Sequence, residues 1–547
     1  MIFKKLLKVI FSLIFIVAVV LLCFSGPFKA LEGSPEYFVG SAKVELTSGI
    51  FPCEAKTLNT VVTARDIAML DYFPNLVSAD FSGSSCYEEI SRWAVQHPEV
   101  DVRYTVPMPD GSKLDNKTET LDLSHTESAQ LPAVAEAVKH LPAVKKVSLG
   151  TIGDEHLPLS TLAELKAALP NAAFDFAVHV AGNDVSADAE SIDLSALDKA
   201  EAADAAAALA CMSNLKSVNL GSEKSNKLDW QDIAMLKAAA PDAKFSYSFT
   251  LYGQELSLDS EKLDFRGTQV KDKGKVLYSV LACMNNCTYL DMDSTGVEDK
   301  VLGDLRQLFP QTEIVWRVWF GENYSVRTDA ERILASKPTV GGMITDASCL
   351  QYCTKVKYLD VGHNYELADF SFVANMPELE VAIIAMTEIT DISGLANCKK
   401  LDYLELNSTN VSDISALKNC TALKHLNIAS CPKLEDISPI YEISGLERLW
   451  IGQETPIPAE QIEKFKGIAP GCKVNTTVSD DPTGESWRYT GYDPEIPLYY
   501  WVERYELLRN QMGYNYQEYS FYWLDPLCEL EAPAEHAGKY GKEVYGL

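Results

Sequence analysis

Four aspartates, Asp369, Asp391, Asp413 and Asp436, recur every 22 or 23 residues, mostly in the triplet Asp-Ile-Ser. Carboxylates stacked in that way could coordinate calcium, although the loop spacing of an EF-hand is absent. The stronger reading is structural: an Asp just ahead of a short helix accepts from the helix's unpaired backbone donors and caps it. The eight histidines (His97, His125, His140, His156, His179, His363, His425 and His536) are scattered along the chain. No His-Glu-x-x-His, nucleophile elbow, P-loop or dinucleotide-binding glycine motif accompanies them. Carboxylates are plentiful, so a glycosidase-like pair stays open in principle, but nothing in the spacing marks a pocket that would enclose one. The expectation is a protein without enzymatic activity, metal or cofactor. Among thirteen cysteines, Cys283/Cys287 and Cys349/Cys353 lie four apart, a spacing that shares a helix face but suits a disulfide poorly. Buried thiols are expected, with one or two disulfides as the alternative.

Binding chemistry is better represented. In a strand, the residues between inward leucines point to the opposite face. In the leucine frame set out below, those outward positions are Tyr358, Asp360, Asp402, Tyr403, Glu405, Asn407, His425, Asn427, Arg448 and Trp450. Aromatics, acids and an arginine side by side have the composition of a binding hot spot, so this row is the candidate ligand surface. It is expected to face solvent. Glu405→Ala should then change stability by no more than about 0.5 kcal/mol, whereas Leu404→Ala, pointing inward, should cost about 2–5 kcal/mol. A second concentration follows: between Trp487 and Trp523, thirteen of 37 residues are aromatic, against 10% for the chain. There "LYYWVERYELLRNQM" reads as an amphipathic helix and "GYNYQEYSFYWLD" alternates like a strand. The open end of a repeat array needs a cover, so residues 479–547 are read as a C-terminal cap whose rings shield Leu449 and Ile451. Carbohydrate binding by exposed Tyr and Trp rings is the alternative.

The elements that position these residues are written in repeats. Pro98, Pro170, Pro241, Pro310 and Pro470 each end an amphipathic stretch, the first four at intervals of 72, 71 and 69 residues. Each proline is followed at +4, +6 and +8 by an alternating set, such as Val102/Tyr104/Val106, Phe245/Tyr247/Phe249 or Val474/Thr476/Val478. A helical period giving way to a period of two predicts helix, stop, strand. The glycine-bearing turns "PDGS", "AGND", "LYGQ" and "FGEN" then predict a hairpin. In the same frame, Leu76-Ala79-Phe81, Val144-Val147-Leu149, Leu215-Val218-Leu220, Cys287-Leu290-Met292 and Val356-Leu359-Val361 share one apolar pattern. Between them "TLDLS", "SIDLS" and "KLDFR" lead into helix-like stretches. Residues 31–355 are therefore read as units of about 70 residues, each with two helices, a hairpin and short parallel strands, which bury their faces by stacking.

From Val356 the frame tightens: Val356, Leu379, Leu401, Leu423 and Leu446 are separated by 23, 22, 22 and 23 residues. In "LDYLELNSTNVSDISAL", Leu401, Leu404, Leu406 and Val411 point inward and Thr409 stands at the turn. Residues 356–478 resemble the leucine-rich repeats of bacterial surface proteins of the internalin type. The resemblance implies an α/β solenoid with parallel strands on one face, short helices or 3₁₀ segments on the other, and a buried Asn at each turn. Asn364 occupies that place in the first coil, Thr387, Thr409 and Cys431 in the next three, and Glu454 fits it poorly.

Length and charge bound the rest. With 547 residues, 47% hydrophobic and 23% charged, the chain is neither disordered nor a multi-span membrane protein. Its net charge of −29 repels phosphate backbones, so no nucleic-acid partner is expected. Lys4, Lys5 and Lys8 precede an uncharged run, Val9 to Phe24, that is apolar apart from Ser12, within 1–30. That is longer than most signal-peptide cores and predicts an uncleaved membrane anchor over residues 1–28, with the body outside. A cleaved signal and a secreted protein is the alternative. The expected function is recognition of an extracellular protein or glycan at the cell surface; a carbohydrate-active protein and a passive spacer are the other possibilities.

Overall fold

The computed structural model describes residues 42–153, 157–320, 324–336, 343–477, 487–493 and 498–512. The chain divides into two compact units, residues 1–249 and 250–547.

In the first unit, helices Tyr87–Gln96, Ser160–Ala168 and Trp230–Ala239 stop ahead of Pro98, Pro170 and Pro241. The residue before a proline is pushed out of the α region. Accordingly His97, Leu169 and Ala240 leave their helices at φ/ψ of −123/64°, −127/69° and −134/71°. Strands Asp101–Arg103, Ala173–Val180 and Lys244–Leu251 follow. They complete parallel sheets with Thr57–Asn59 and Ser78–Asp80, with Thr120–Asp122 and Lys146–Ile152, and with Ser191–Asp193 and Ser217–Ser222. Hairpins Lys43–Leu46/Gly49–Pro52, Thr105–Pro107/Lys113–Asp115 and Ala173–Val180/Asn183–Ser186 are antiparallel pairs. The shared apolar pattern is the core: Ala79, Phe81, Val147, Leu149, Val218 and Leu220 are all buried. Asp80, Asp122 and Asp193 close their strands by accepting the backbone N–H two residues on, each at 2.9 Å; this turn is what the "LDLS" motif encodes.

The second unit opens with parallel strands Lys262–Asp264, Tyr289–Asp291 and Glu313–Val315 and the hairpin Arg317–Phe320/Tyr324–Arg327. A seven-strand parallel ladder follows: Arg332–Leu334, Tyr358–Asp360, Val381–Ile383, Tyr403–Glu405, His425–Asn427, Arg448–Trp450 and Lys473–Asn475. It starts one strand ahead of the leucine frame at Val356. Leu359, Leu404, Leu426 and Leu449 are fully buried on its inner side. Opposite the strands run 3₁₀ segments Ser348–Tyr352, Ser371–Asn375, Ser393–Asn397, Ser415–Asn419 and Ser438–Glu442, then the α-helix Ala459–Ile468. Asp369, Asp391, Asp413 and Asp436 each accept the Ser N–H that starts a 3₁₀ segment, at 2.7–2.8 Å, and Asp346 adds a fifth such contact at 2.8 Å. Their carboxylates therefore serve the backbone.

The turns after the strands carry the repeat's strain. His363, Met386, Ser408 and Ser430 sit at φ of 57°, 56°, 57° and 54°, and Gly452 at 68°. Left-handed backbone costs a side-chain-bearing residue roughly 1–2 kcal/mol; in exchange His363, Met386 and Ser408 donate their N–H to the next coil's carbonyls at 2.7–2.9 Å. Asn364 is fully buried and ties Ala335 O, Val361 O and Ile344 N at 2.8–2.9 Å. The hydroxyls of Thr387 and Thr409 hold the equivalent turns at 2.8 and 2.7 Å. In the last coil Thr455, not Glu454, is the buried group, donating to Ile428 O at 2.7 Å. All cysteines among the described residues are free thiols. Among the described residues no helix is long and apolar enough to cross a membrane; the expected anchor, 1–28, lies outside them.

Candidate functional site

Packing on the outward face of the ladder overturns its expected exposure. Tyr403, Glu405, Arg448 and Trp450 are 2%, 1%, 7% and 0% exposed, and Asp360, His425 and Asn427 are buried too. Period-two alternation places these side chains opposite the leucines, but alternation says only which way a residue points. What covers them is the chain's own C-terminal segment: Trp487 and Arg488, then the helix Glu503–Met512, whose Tyr505, Leu508 and Met512 are buried in one cluster with Val381, Ile383, Tyr403 and Trp450. Tyr358 and Val502 pack at its margin.

Glu405 is the centre. Its carboxylate accepts from the Trp487 indole N–H at 2.9 Å, from Arg488 at 2.6 and 3.3 Å, and from the Tyr403 hydroxyl. Burial alone would raise this carboxyl; the Arg488 guanidinium and the three donors outweigh it and hold it below its ordinary value. Arg448 lies over the Trp450 and Trp487 rings, 4.9 and 4.6 Å from their centroids, and donates to the Trp487 carbonyl. The indole of Trp487 meets the rings of Tyr403 at 5.5 Å and Trp450 at 6.2 Å. At the edge, Arg504 bonds Asp402 at 2.7 Å and lies 5.3 Å from the Tyr403 ring centroid. Two histidines are caught in this layer. Burial, then the nearby Arg504 guanidinium, hold His425 down to about 4; burial, then Arg488, do the same to His363.

Of the ten residues read from the sequence, Asp402, Tyr403, Glu405, His425, Arg448 and Trp450 are brought together by this contact, with Tyr358 alongside. Asp360 and Asn427 instead close their strands, accepting Gly362 N at 2.9 Å and Ala429 N at 3.0 Å. Asn407 pairs with Asn427 at 3.4 Å. Trp487, Arg488, Arg504, Tyr505 and His363 were not singled out; the matching of two arginines in the aromatic segment to two acids in the row was the available signal. The cap also lies elsewhere than expected. Leu449 and Ile451 are buried inside the coil, and Phe465 of the helix Ala459–Ile468 is fully buried as well; among the described residues of the aromatic segment, Trp487, Arg488 and the helix Glu503–Met512 lie on the face. The strand-like "GYNYQEYSFYWLD" falls outside the described residues.

A second polar cluster precedes the ladder. Arg317 forks onto Asp293 at 3.0 and 3.1 Å, and Arg327 reaches Asp291, Asp293 and Asp329 at 3.1–3.2 Å. Its charges satisfy one another and fasten the hairpin to the sheet. Among the described residues no group of three or more His, Cys, Asp or Glu side chains is placed to hold a metal ion.

Residues 399–442 match the family of leucine-rich repeats (two copies). No curated protein matches the chain. Among solved structures, it is similar to internalin inlF of Listeria monocytogenes (15% identity, 78% of this chain and 84% of that one, TM-score 0.22). Internalin C2 of the same organism gives 16% identity over 46% of this chain and 84% of that one, with a TM-score of 0.20. A leucine-rich-repeat protein of Leptospira interrogans gives 13% identity over 74% and 91%, with a TM-score of 0.24. Superposition at that level carries nothing about partners. Residues 399–442 thus match leucine-rich repeats, and the same coil of strand, Asn or Thr turn and capped 3₁₀ segment runs through the ladder on either side of them.

Proposed function

We propose that the protein is a non-enzymatic recognition protein of the cell surface, binding an extracellular protein through the outward face of its ladder. One observation supports this reading above others: that face already holds a polypeptide, by side-chain chemistry that reads an indole, a guanidinium and a backbone carbonyl in succession. Hot-spot residues of this kind gain their energy when fully desolvated, as Tyr403, Arg448 and Trp450 are here. Residues 1–28 would hold the body outside the membrane. The sugar-binding alternative loses two of its rings, since Trp487 and Tyr505 are buried and have no free face to offer.

The test is a screen of the full-length protein, in detergent, against arrays of extracellular proteins and of glycans. Protein hits are expected, and they should be lost in an Arg448→Ala/Trp450→Ala variant that stays folded. Hits confined to glycans and indifferent to those substitutions would sink the proposal in favour of sugar binding; no hits at all would leave a spacer.

A further inference from the structure

We infer that the outward face is a docking site for the Trp487–Arg488 segment itself, and that its partner in trans is the same segment of a second copy of this chain. The inference rests on reading that face as a polypeptide-binding surface, and adds what it binds.

The cover is more selective than a cap needs to be. An apolar lid over Trp450, Tyr403 and Ile383 would require no ion, and a buried ion pair seldom adds stability over well-packed apolar groups. Here a fully buried carboxylate, already bonded by Tyr403 of its own strand, takes its remaining donors from two adjacent positions of the occupant. The Trp487 indole N–H and the Arg488 guanidinium both reach Glu405, at 2.9 and 2.6 Å. Arg448 reads the carbonyl between them, which fixes the direction of the incoming chain. Sixteen residues later Arg504 meets Asp402 at 2.7 Å. An occupant without these cations would leave the Glu405 charge buried with only the face's own Tyr403 hydroxyl against it and no cation to balance it, the costly outcome. Complementary charges thus specify an extended Trp-Arg followed by a helix with an outward Arg. The polypeptide seen to meet that specification is residues 487–512, and every second copy carries it. Exchanging identical elements between chains recreates each closed contact, which makes it a low-cost route to a dimer.

The experiment uses two full-length variants in detergent. Arg488→Glu spoils the segment but keeps the face; Glu405→Arg spoils the face but keeps the segment. Neither can close on itself, and each should be a monomer. Mixed at tens of micromolar, the intact segment of the Glu405→Arg chain should fill the intact face of the Arg488→Glu chain. Sedimentation should then show a one-to-one heterodimer, with hydrogen-exchange protection of residues 498–512 restored in the Glu405→Arg chain. Hydrogen exchange in the ladder strands checks that both variants are folded; if either is not, the milder Glu405→Gln and Arg488→Gln pair replaces it. A synthetic peptide of residues 485–512 is added separately to the Arg488→Glu chain. Folded variants that stay monomeric when mixed overturn the inference: with peptide bound, because the face cannot take the segment from a second chain; with none bound, because it is no site for it. Neither result bears on the protein-array screen, whose failure would leave a heterodimer unexplained but intact.

Discussion

Glu405 shows how far a residue's environment can depart from its place in the pattern. As a solvent-facing neighbour of Leu404 it would be dispensable; as the buried acceptor of Arg488, Trp487 and Tyr403 it is not. Removing one member of a buried pair leaves the other uncompensated, so Glu405→Ala is expected to cost about 3–5 kcal/mol, as much as Leu404→Ala at about 2–5 kcal/mol. Equal losses would ordinarily signal a register slip of one residue. Here the pairing Ala382–Leu404–Leu426 fixes the register, and the double variant Glu405→Ala/Arg488→Ala settles the point: in urea unfolding its loss should fall well short of the sum of the single losses. A smaller residue-scale effect belongs to the caps. Asp413→Ala removes the acceptor of Ser415 N–H and should cost about 0.5–2 kcal/mol by the same measurement; no change would mean the carboxylate has another role.

At the scale of elements, the cover and the ladder are joined across groups that titrate. His425 and His363 are held at about 4 against an ordinary 6.5, so they stay neutral under the cover while a released segment would let them take up protons. His425 is faced by Arg504 from the cover, by Tyr403 from the neighbouring strand, and by Lys424, Glu447 and Arg448 from its own and the next coil; His363 is faced by Arg488 and Glu405. The sign follows from linkage. Each histidine's contribution is complete above pH 6.5 and is lost as the pH falls toward 4; the lowered Glu405 adds a contribution that fades below its ordinary 4.5. Acid therefore opens the cover. Between pH 7 and 4.5 the opening constant of residues 498–512, read by hydrogen exchange, should rise on the order of tenfold to a hundredfold per histidine. His425→Gln should flatten the response. A segment and ladder that lose protection together would indicate global acid unfolding instead.

Across the whole molecule, the cover has a measurable consequence for stability. Deleting residues 481–547 uncovers Tyr403, Arg448 and Trp450, and should lower the melting temperature and promote self-association through the bared face. A truncated protein that melts like the intact one and is monodisperse would deny the segment any capping role and return weight to carbohydrate binding. Residues 1–28 make a separate prediction. An uncleaved apolar run of this length should keep the protein with membranes through high-salt washing and release it only to detergent; mature chain beginning near Gly26 in the medium would establish a cleaved signal.

What the sequence determined by itself is whatever repeats. Prolines at intervals of 72, 71 and 69 residues and leucines every 22 or 23 dictate helix, stop, strand and coil, because local backbone sterics and apolar periodicity act over a few residues and each coil buries its leucines against identical neighbours. The Asp-x-Ser caps and the turns held by Thr387 and Thr409 were legible for the same reason: donor and acceptor lie two or three residues apart. Tertiary structure alone decided the fate of Glu405 and Trp450, since the residues that cover them, Trp487 and Arg488, stand in a segment far along the chain with no repeat to mirror. A strand's alternation states which face a side chain takes, and carries no information about what comes to rest on that face. Only folding could bring Arg488 to Glu405, 83 positions apart, and turn an exposed row into a buried contact.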